Sequence, residues 1–487
     1  MRHNRSMVLI MRLALLLALG VSAPVAAQEE VKVTSLAAPD YFSAPAADTG
    51  LPGDLWKDTA PDILRDVIPK LGGSKPLSPA FASLAKRLLS TGANGPAGVG
   101  DNVEMGAQRA LALIALGEAK GANTILDRAT GAPGSAALSM ATAEAALIAG
   151  DDDKACRTQD ALTVDRGGAY WLRLRAFCQL KAGQTDPAQL TFQLAQNATK
   201  DADYARLMGA ALSGTAPGAA NLKNGVNYAL SRRLNLDIQS AAAIASASPA
   251  LKPLITTSGD ISGVSSGADL TAQEASNLAF LRQAKTLPAF IDAARAASAS
   301  IATLAAAGGP LQDPVLMARA ALAAGDVASA QAIRGRLTGD TIPGATAADL
   351  ATLDALIAAA SGKVDNQVLG NLISRGVSGG AKAQAAAVLL SSLGGSLDPE
   401  ARAQFAGFDL GKPVASPARM QVLEDAGAAK RKGEAGLIAL SIAVDSGATG
   451  PIPADRARIA RALNHAGLSA DARAIVVEGL LGLAFVK

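Results

Sequence analysis

Histidine is nearly missing from this chain. Of its two histidines, His3 lies in a leader and His465 stands alone in everything that follows. A Ser-His-Asp constellation would have to be built around that one residue, and no Gly-x-Ser-x-Gly elbow accompanies it. Beside the turn at Gly467, His465 reads as a helix-end residue near exposed carbonyls. Aromatic residues make up 3% of the chain. That excludes a large globular core of the usual kind and leaves few stacking platforms for sugars or bases. Two cysteines with no histidine near them do not complete a tetrahedral metal site. An excess of charge is missing too. The chain carries 45 basic and 42 acidic residues, and setting aside Arg2, Arg5 and Arg12 of the leader leaves 42 against 42. A neutral chain has no basic footprint for nucleic acid or for an anionic membrane surface.

What is present begins with the leader. Arg2, Arg5 and Arg12 form a positive n-region, Leu13 to Val21 an apolar h-region, and Val25-Ala26-Ala27 a small-residue cleavage site. Residues 1–27 are therefore expected to be a cleavable signal peptide, with maturation near Gln28. The apolar run falls well short of the ~20 residues a membrane span needs. A Gly/Ala-rich chain with such a leader points to a bacterial periplasm. No stable membrane insertion is expected after cleavage.

Residues 28–55 carry Pro39, Pro45 and Pro52 without periodicity and read as a disordered linker. Order is expected from Trp56, with a first helix from Pro61 and a second near Pro79 to Leu89. Gly92 to Gly100 reads as a flexible connection and has no phosphate-loop ending. No stretch carries a useful strand pattern, and alanine, the best helix former, occupies 110 of 487 positions. The fold class expected is all-α.

A glycine followed five residues later by alanine recurs along the chain: Gly117/Ala122, Gly150/Ala155, Gly183/Ala188, Gly325/Ala330 and Gly467/Ala472. Seven residues before these glycines stand Ala110, Ala143, Ala176, Ala318 and Ala460. Gly362, with Ala355 before it, and Gly395 fall between. The steps are 33, 33, 37 and 33 residues, the spacing of stacked helix pairs. Each glycine is expected to end a helix in the left-handed conformation. Asp151 and Asp326 are placed to cap the next helix. The small residues on either side let the two helices cross closely. The rhythm divides the chain into N-terminal helical repeats over 56–205, an irregular helical middle over 206–310 and C-terminal repeats over 311–487. The middle reads either as degenerate repeats or as a break between two arrays, and Gly259 to Gly267 as a loop. The apolar tail, Ile475 to Val486, reads as a cap on the open end of the stack or as a docking segment.

This pattern resembles the tetratricopeptide repeat superfamily. Gly325-Asp326-Val327-Ala328-Ser329-Ala330, with Ala318 before it, looks like that family's turn and second-helix start. Gly183 with Ala176 and Ala188, and Gly467 with Ala460 and Ala472, match as well. The first helices lack the family's aromatics: Pro314 and Met317 occupy such places in one unit. The resemblance implies a tetratricopeptide-like α-solenoid of stacked antiparallel helix pairs. A weaker resemblance, of architecture alone, is to the alanine-rich superhelical part of periplasmic lytic transglycosylases.

Cys156 lies early in one second helix and Cys178 late in the next first helix, and antiparallel neighbours bring those ends together. A Cys156–Cys178 disulfide is expected, with free thiols or a redox pair as the alternatives. The run Asp151-Asp152-Asp153 lacks the spaced ligands of a calcium loop. Arg173/Arg175 and Arg232/Arg233 read as solvated helix faces, and Tyr170-Trp171 with Phe177 as core. No catalytic residue, cofactor or metal is expected. The function expected is a non-enzymatic periplasmic scaffold or adaptor that binds a protein or peptide partner of the cell envelope. The alternative is an accessory subunit of an envelope or peptidoglycan assembly.

Overall fold

A computed structural model describes residues 40–73, 76–256, 270–337, 345–378 and 380–485. The expected signal peptide, the linker up to residue 39 and the expected loop Gly259–Gly267 lie outside the described residues. The described chain belongs to one unit by its contacts, Pro39–Lys487, and contains twenty-five α-helices and no strand. The all-α expectation holds.

Helices α1 (Pro61–Leu71) and α2 (Pro79–Ser90) each start on proline, whose missing N–H is one the first turn does not use. Three hairpins follow: α3 (Val103–Ala115) with α4 (Ala119–Leu126), α5 (Ala136–Ala149) with α6 (Asp152–Ala161), and α7 (Ala169–Lys181) with α8 (Thr185–Ala198). The middle holds α9 (Ala202–Ser213), α10 (Gly225–Arg233), α11 (Ala241–Ser246), α12 (Lys252–Thr256), α13 (Leu270–Gln283), α14 (Leu287–Ala296) and α15 (Ser298–Ala307). The last two, α14 and α15, are separated at Ala297, a position that neither glycine nor proline marks. Pairing resumes with α16 (Pro314–Ala324) and α17 (Val327–Arg334), then α18 (Ala347–Ser361), α19 (Asn366–Val377) and α20 (Ala381–Ser391). After the short α21 (Pro399–Ala406) come α22 (Pro417–Ala428), α23 (Lys432–Ser446), α24 (Pro453–His465) and α25 (Ser469–Gly482).

The glycine–alanine register is realised throughout. Gly117, Gly150, Gly183, Gly325, Gly362, Gly395 and Gly467 all take positive φ, from 71° to 100°. All ten alanines before and after the five complete turns are 0% exposed. An L-residue pays roughly 1–2 kcal/mol to adopt the left-handed conformation, so glycine stands at the ends of these helices, except for Gly395, which lies three residues beyond the C-cap Ser392 of α20. Buried methyl groups let the partner helices approach. Asp151 Oδ1 accepts from Lys154 N at 2.9 Å and Asp326 Oδ1 from Ser329 N at 3.0 Å, capping the helices that follow.

The apolar residues form two cores. A small one binds the end of α5 to α7–α10 around Trp171, Phe177 and Tyr204. The large one runs from Tyr41 through α1–α5, takes in Tyr228, Ala243 and Ile255 from α10–α12, and continues from α13 to Leu483. It is continuous because the chain's beginning packs on its end: α1 and α2 lie against α23, and α2 against α25. Stacking of sequence neighbours alone does not bring such distant helices together.

This closure corrects two expectations. The apolar tail is no end cap. As part of α25 it packs among α2, α16, α18, α20 and α24, with Ile475, Val476, Leu480 and Leu481 buried. Residues 40–55 are no disordered linker either. Phe42 is 0% and Leu55 2% exposed, and the Leu55 carbonyl accepts from Gly433 N at 3.2 Å. The stretch from Gly92 to Gly100 is held down by the same segment. Tyr41 N donates to Gly100 O at 2.7 Å, and Ala93 N to Phe42 O at 3.1 Å.

Candidate binding clefts

The residues singled out by sequence are mostly consumed by the fold. Cys156 on α6 and Cys178 on α7 form a disulfide with Cα atoms 5.6 Å apart. It closes a chain separation of 22 residues, and a loop of that size stabilises by about 3 kcal/mol. Converting both cysteines to alanine is therefore expected to lower stability by about that amount. Reduction should do so equally in the parent and not at all in the variant, measured by denaturant midpoint with and without reductant.

The three aspartates are each engaged. Asp151 caps α6, Asp152 pairs with Arg232 at 2.5 Å and Asp153 with Lys181 at 2.6 Å. Arg173 pairs with Asp201 at 3.1 Å and lies 5.5 Å over the Tyr204 ring. Arg175 and Arg233 donate to the carbonyls of Arg166 and Leu180. Trp171 and Phe177 are core residues, 2% and 1% exposed. His465 is the exposed last residue of α24. Among the described residues no group of three or more His, Cys, Asp or Glu is placed to hold a metal ion.

One carboxyl beside the small core is only partly satisfied. Glu144 on α5 accepts from Gly225 N at 2.9 Å through Oε2, at the start of α10. Its Oε1 and the neighbouring Tyr170 hydroxyl are buried without a partner at hydrogen-bonding geometry. Burial raises the Glu144 pKa above its ordinary value of 4.5, against the Gly225 N–H and Tyr170, which lower it. The native state therefore keeps this proton to higher pH than the unfolded chain does, and stability falls as pH rises through that window. Glu144→Gln is expected to match the parent near pH 4 and to be more stable at pH 7. Denaturant midpoints at the two pH values check this.

Two clefts flank α25, and sequence reasoning found neither. The first, about 350 Å³, lies where α2, α14, α16, α18 and α25 meet. Arg295 and Arg473 line it, and neither makes an ion pair among the described residues. Glu478, also at its wall, is committed elsewhere: it pairs with Arg456 at 2.8 Å and accepts from Ser78 Oγ at 2.6 Å.

The second cleft, about 500 Å³, is framed by α16, α18, α19, α20 and the end of α25. Arg319, Arg375 and Lys382 supply three cations, and none of them makes a hydrogen bond or ion pair among the described residues. Arg319 is half-buried, and its Nε is buried without a partner. Burial pulls its pKa below the usual arginine range, opposed by Asp349 and Asp313. Asp349, the one acid in the wall, is engaged in a capping box with Thr346, whose N–H and hydroxyl donate to it at 2.9 and 2.6 Å. Helix α20 starts on Gly380 with no side-chain cap, so its positive end faces the cleft bare. Leu372, Leu480 and Leu483 contribute apolar wall. A signal was there to be read. Arg319 sits in an alanine-rich helix with Val315, Leu316, Leu322 and Ala323 at its helical neighbours, and none of these is an acid.

Neither cleft shows a nucleophile held by a base. Both offer cations and apolar walls, and the second an uncapped helix start, which is an arrangement for holding an anion attached to an apolar body. Among the described residues no helix is long and apolar enough to cross a membrane. In comparison with known proteins, the chain matches no family model, no curated protein and no solved structure.

Proposed function

We propose that this protein is a non-enzymatic adaptor of the bacterial periplasm, a helical-repeat scaffold that holds a protein or peptide partner. The observation that carries this reading is the second cleft. Its three cations make no hydrogen bond or ion pair within the described fold, and the Arg319 Nε among them is buried without an acceptor, which is costly to keep. The disulfide suits an oxidising compartment, and the leader supplies the route there. Helix pairs of the tetratricopeptide-like kind present long faces of this sort to partners.

A photo-crosslinking residue at Ser378, on the cleft rim, tests the reading in cells exporting the full chain. It is expected to capture one defined partner, and the same residue at Asp186, exposed on α8, is not. Equal capture at both positions, or none at Ser378 from exported and folded protein, overturns it.

One observation favours the accessory-subunit reading. An apolar groove of about 360 Å³ lies between α1, α22 and α23, with Ile63, Val67 and Ile438 in its wall and Val422 42% exposed. A permanent subunit seated there would co-purify at fixed stoichiometry and be released by Val422→Asp.

A further inference from the structure

We infer that the cleft between α16, α18, α19, α20 and α25 receives a monocarboxylate carried on an apolar chain, and that in the adaptor this is the free C-terminus of a partner peptide ending in an apolar residue. The inference rests on the adaptor reading and narrows it.

Three features select this ligand. The first is charge. Arg319, Arg375 and Lys382 against Asp349 leave a net of two positive charges in the wall, in a protein that is neutral beyond its leader. The second is the state of Arg319. Its Nε is buried without an acceptor while the residue as a whole is half-exposed, and a planar guanidinium matches a carboxylate with two parallel hydrogen bonds. The third is the mixed wall. Leu372, Leu480 and Leu483 stand beside the cations, so the anion must carry apolar atoms. Asp349 argues against a dianion: its carboxylate would repel a phosphate monoester more strongly than a single carboxylate. A volume of about 500 Å³ lies in the ordinary range of ligand pockets and admits more than the terminal residue of a peptide.

The same chemistry comes from two sources, a peptide C-terminus and a free fatty acid, and the experiment separates them. The exported full chain is titrated with a fluorescent hexapeptide ending in Ala-Leu with a free carboxylate. The same peptide as its C-terminal amide, and octanoate as competitor, complete the set. Saturable binding of the acid is expected, weakened about ten-fold or more by amidation. Arg319→Met should weaken it by a similar factor. Arg375→Gln and Lys382→Gln, at exposed positions that do not endanger folding, should each weaken it and reduce its salt dependence.

Equal binding of acid and amide overturns the inference. So does acid binding that none of the three substitutions changes. Binding of octanoate without the peptide overturns the peptide assignment. If no carboxylate binds while Ser378 still captures a partner in cells, the inference fails and the adaptor reading stands. If the peptide binds and Ser378 captures nothing, the adaptor reading fails instead.

Discussion

Glu478→Ala is expected to lower folding stability by about 3–5 kcal/mol, the usual consequence of leaving one member of a buried ion pair without its partner. Glu478 and Arg456 are 3% and 4% exposed and lie 2.8 Å apart. The carboxylate has a second task. It accepts from Ser78 Oγ at 2.6 Å and from Ala80 N, so it caps α2 from a position 400 residues away in sequence. The capping residue Ser78 makes no side-chain hydrogen bond to its own helix. Removing the carboxylate therefore frees the start of α2 and leaves Arg456 charged inside the protein. Arg456 would retain the carbonyls of Thr449, Pro451 and Ile475 and its place over the Phe81 ring. Those contacts fix the guanidinium without neutralising it.

Two further variants separate charge from packing. Glu478→Gln keeps an acceptor for Ala80 N and loses the charge, so it should fall between parent and alanine. Arg456→Met combined with Glu478→Leu removes both charges and should recover more than half of the alanine loss. Urea midpoints measure the series. Amide hydrogen exchange identifies the site, because protection in α1, α2 and α25 should fall together. A loss under about 1 kcal/mol for Glu478→Ala would mean that the closure does not depend on this pair.

The parts of the fold that sequence revealed are those fixed within one hairpin. A glycine that must stop a helix and an alanine that must fit a crossing leave a mark at fixed spacing, and Gly325, Ala318 and Ala330 show it. Cys156 and Cys178 could be paired because the same register places both on adjoining helix ends. The closure left no such mark. Ser78 and Glu478 obey no period, and Glu478 was legible only as the one charge in an apolar tail. Gly433 and Gly436 sit inside α23, where glycine is unfavourable by propensity. They are there because a methyl group would come within 2.6 Å of the Leu55 carbonyl and 2.5 Å of a Leu88 methyl. The clefts were hidden for a related reason: Arg319, Arg375 and Lys382 converge from three helices, and their spacing in sequence carries no chemistry.

Arg109→Met is expected to detach residues 40–55 from the body of the protein. Arg109 is 0% exposed and donates to four carbonyls: Tyr41 at 2.6 Å, Leu89 at 2.9 Å, and Ala44 and Thr91 at 3.0 Å. Two of these belong to the N-terminal segment and two to the end of α2 and the residue after it, so one side chain bridges them. The guanidinium also lies 5.3 Å from the Phe42 ring centroid. Burial lowers its pKa to about 9, opposed by Asp40, which leaves it protonated at neutral pH. A buried cation of this kind is stable only while its donors are met, and the irregular path of the segment is what delivers the carbonyls. Methionine fills much of the volume and supplies no donor, and each orphaned carbonyl costs about 1–3 kcal/mol unless water reaches it. The cheapest relief is for the segment to lift away and let water in. Limited proteolysis should then cut between residues 40 and 55 in the variant and not in the parent, with helix content by circular dichroism nearly unchanged. Arg109→Lys keeps the charge but cannot reach four acceptors with a single ammonium, so its cleavage rate should lie between the two. If Arg109→Met resists cleavage as well as the parent does, the apolar contacts of Tyr41, Phe42 and Trp56 hold the segment, and the carbonyl cage is secondary.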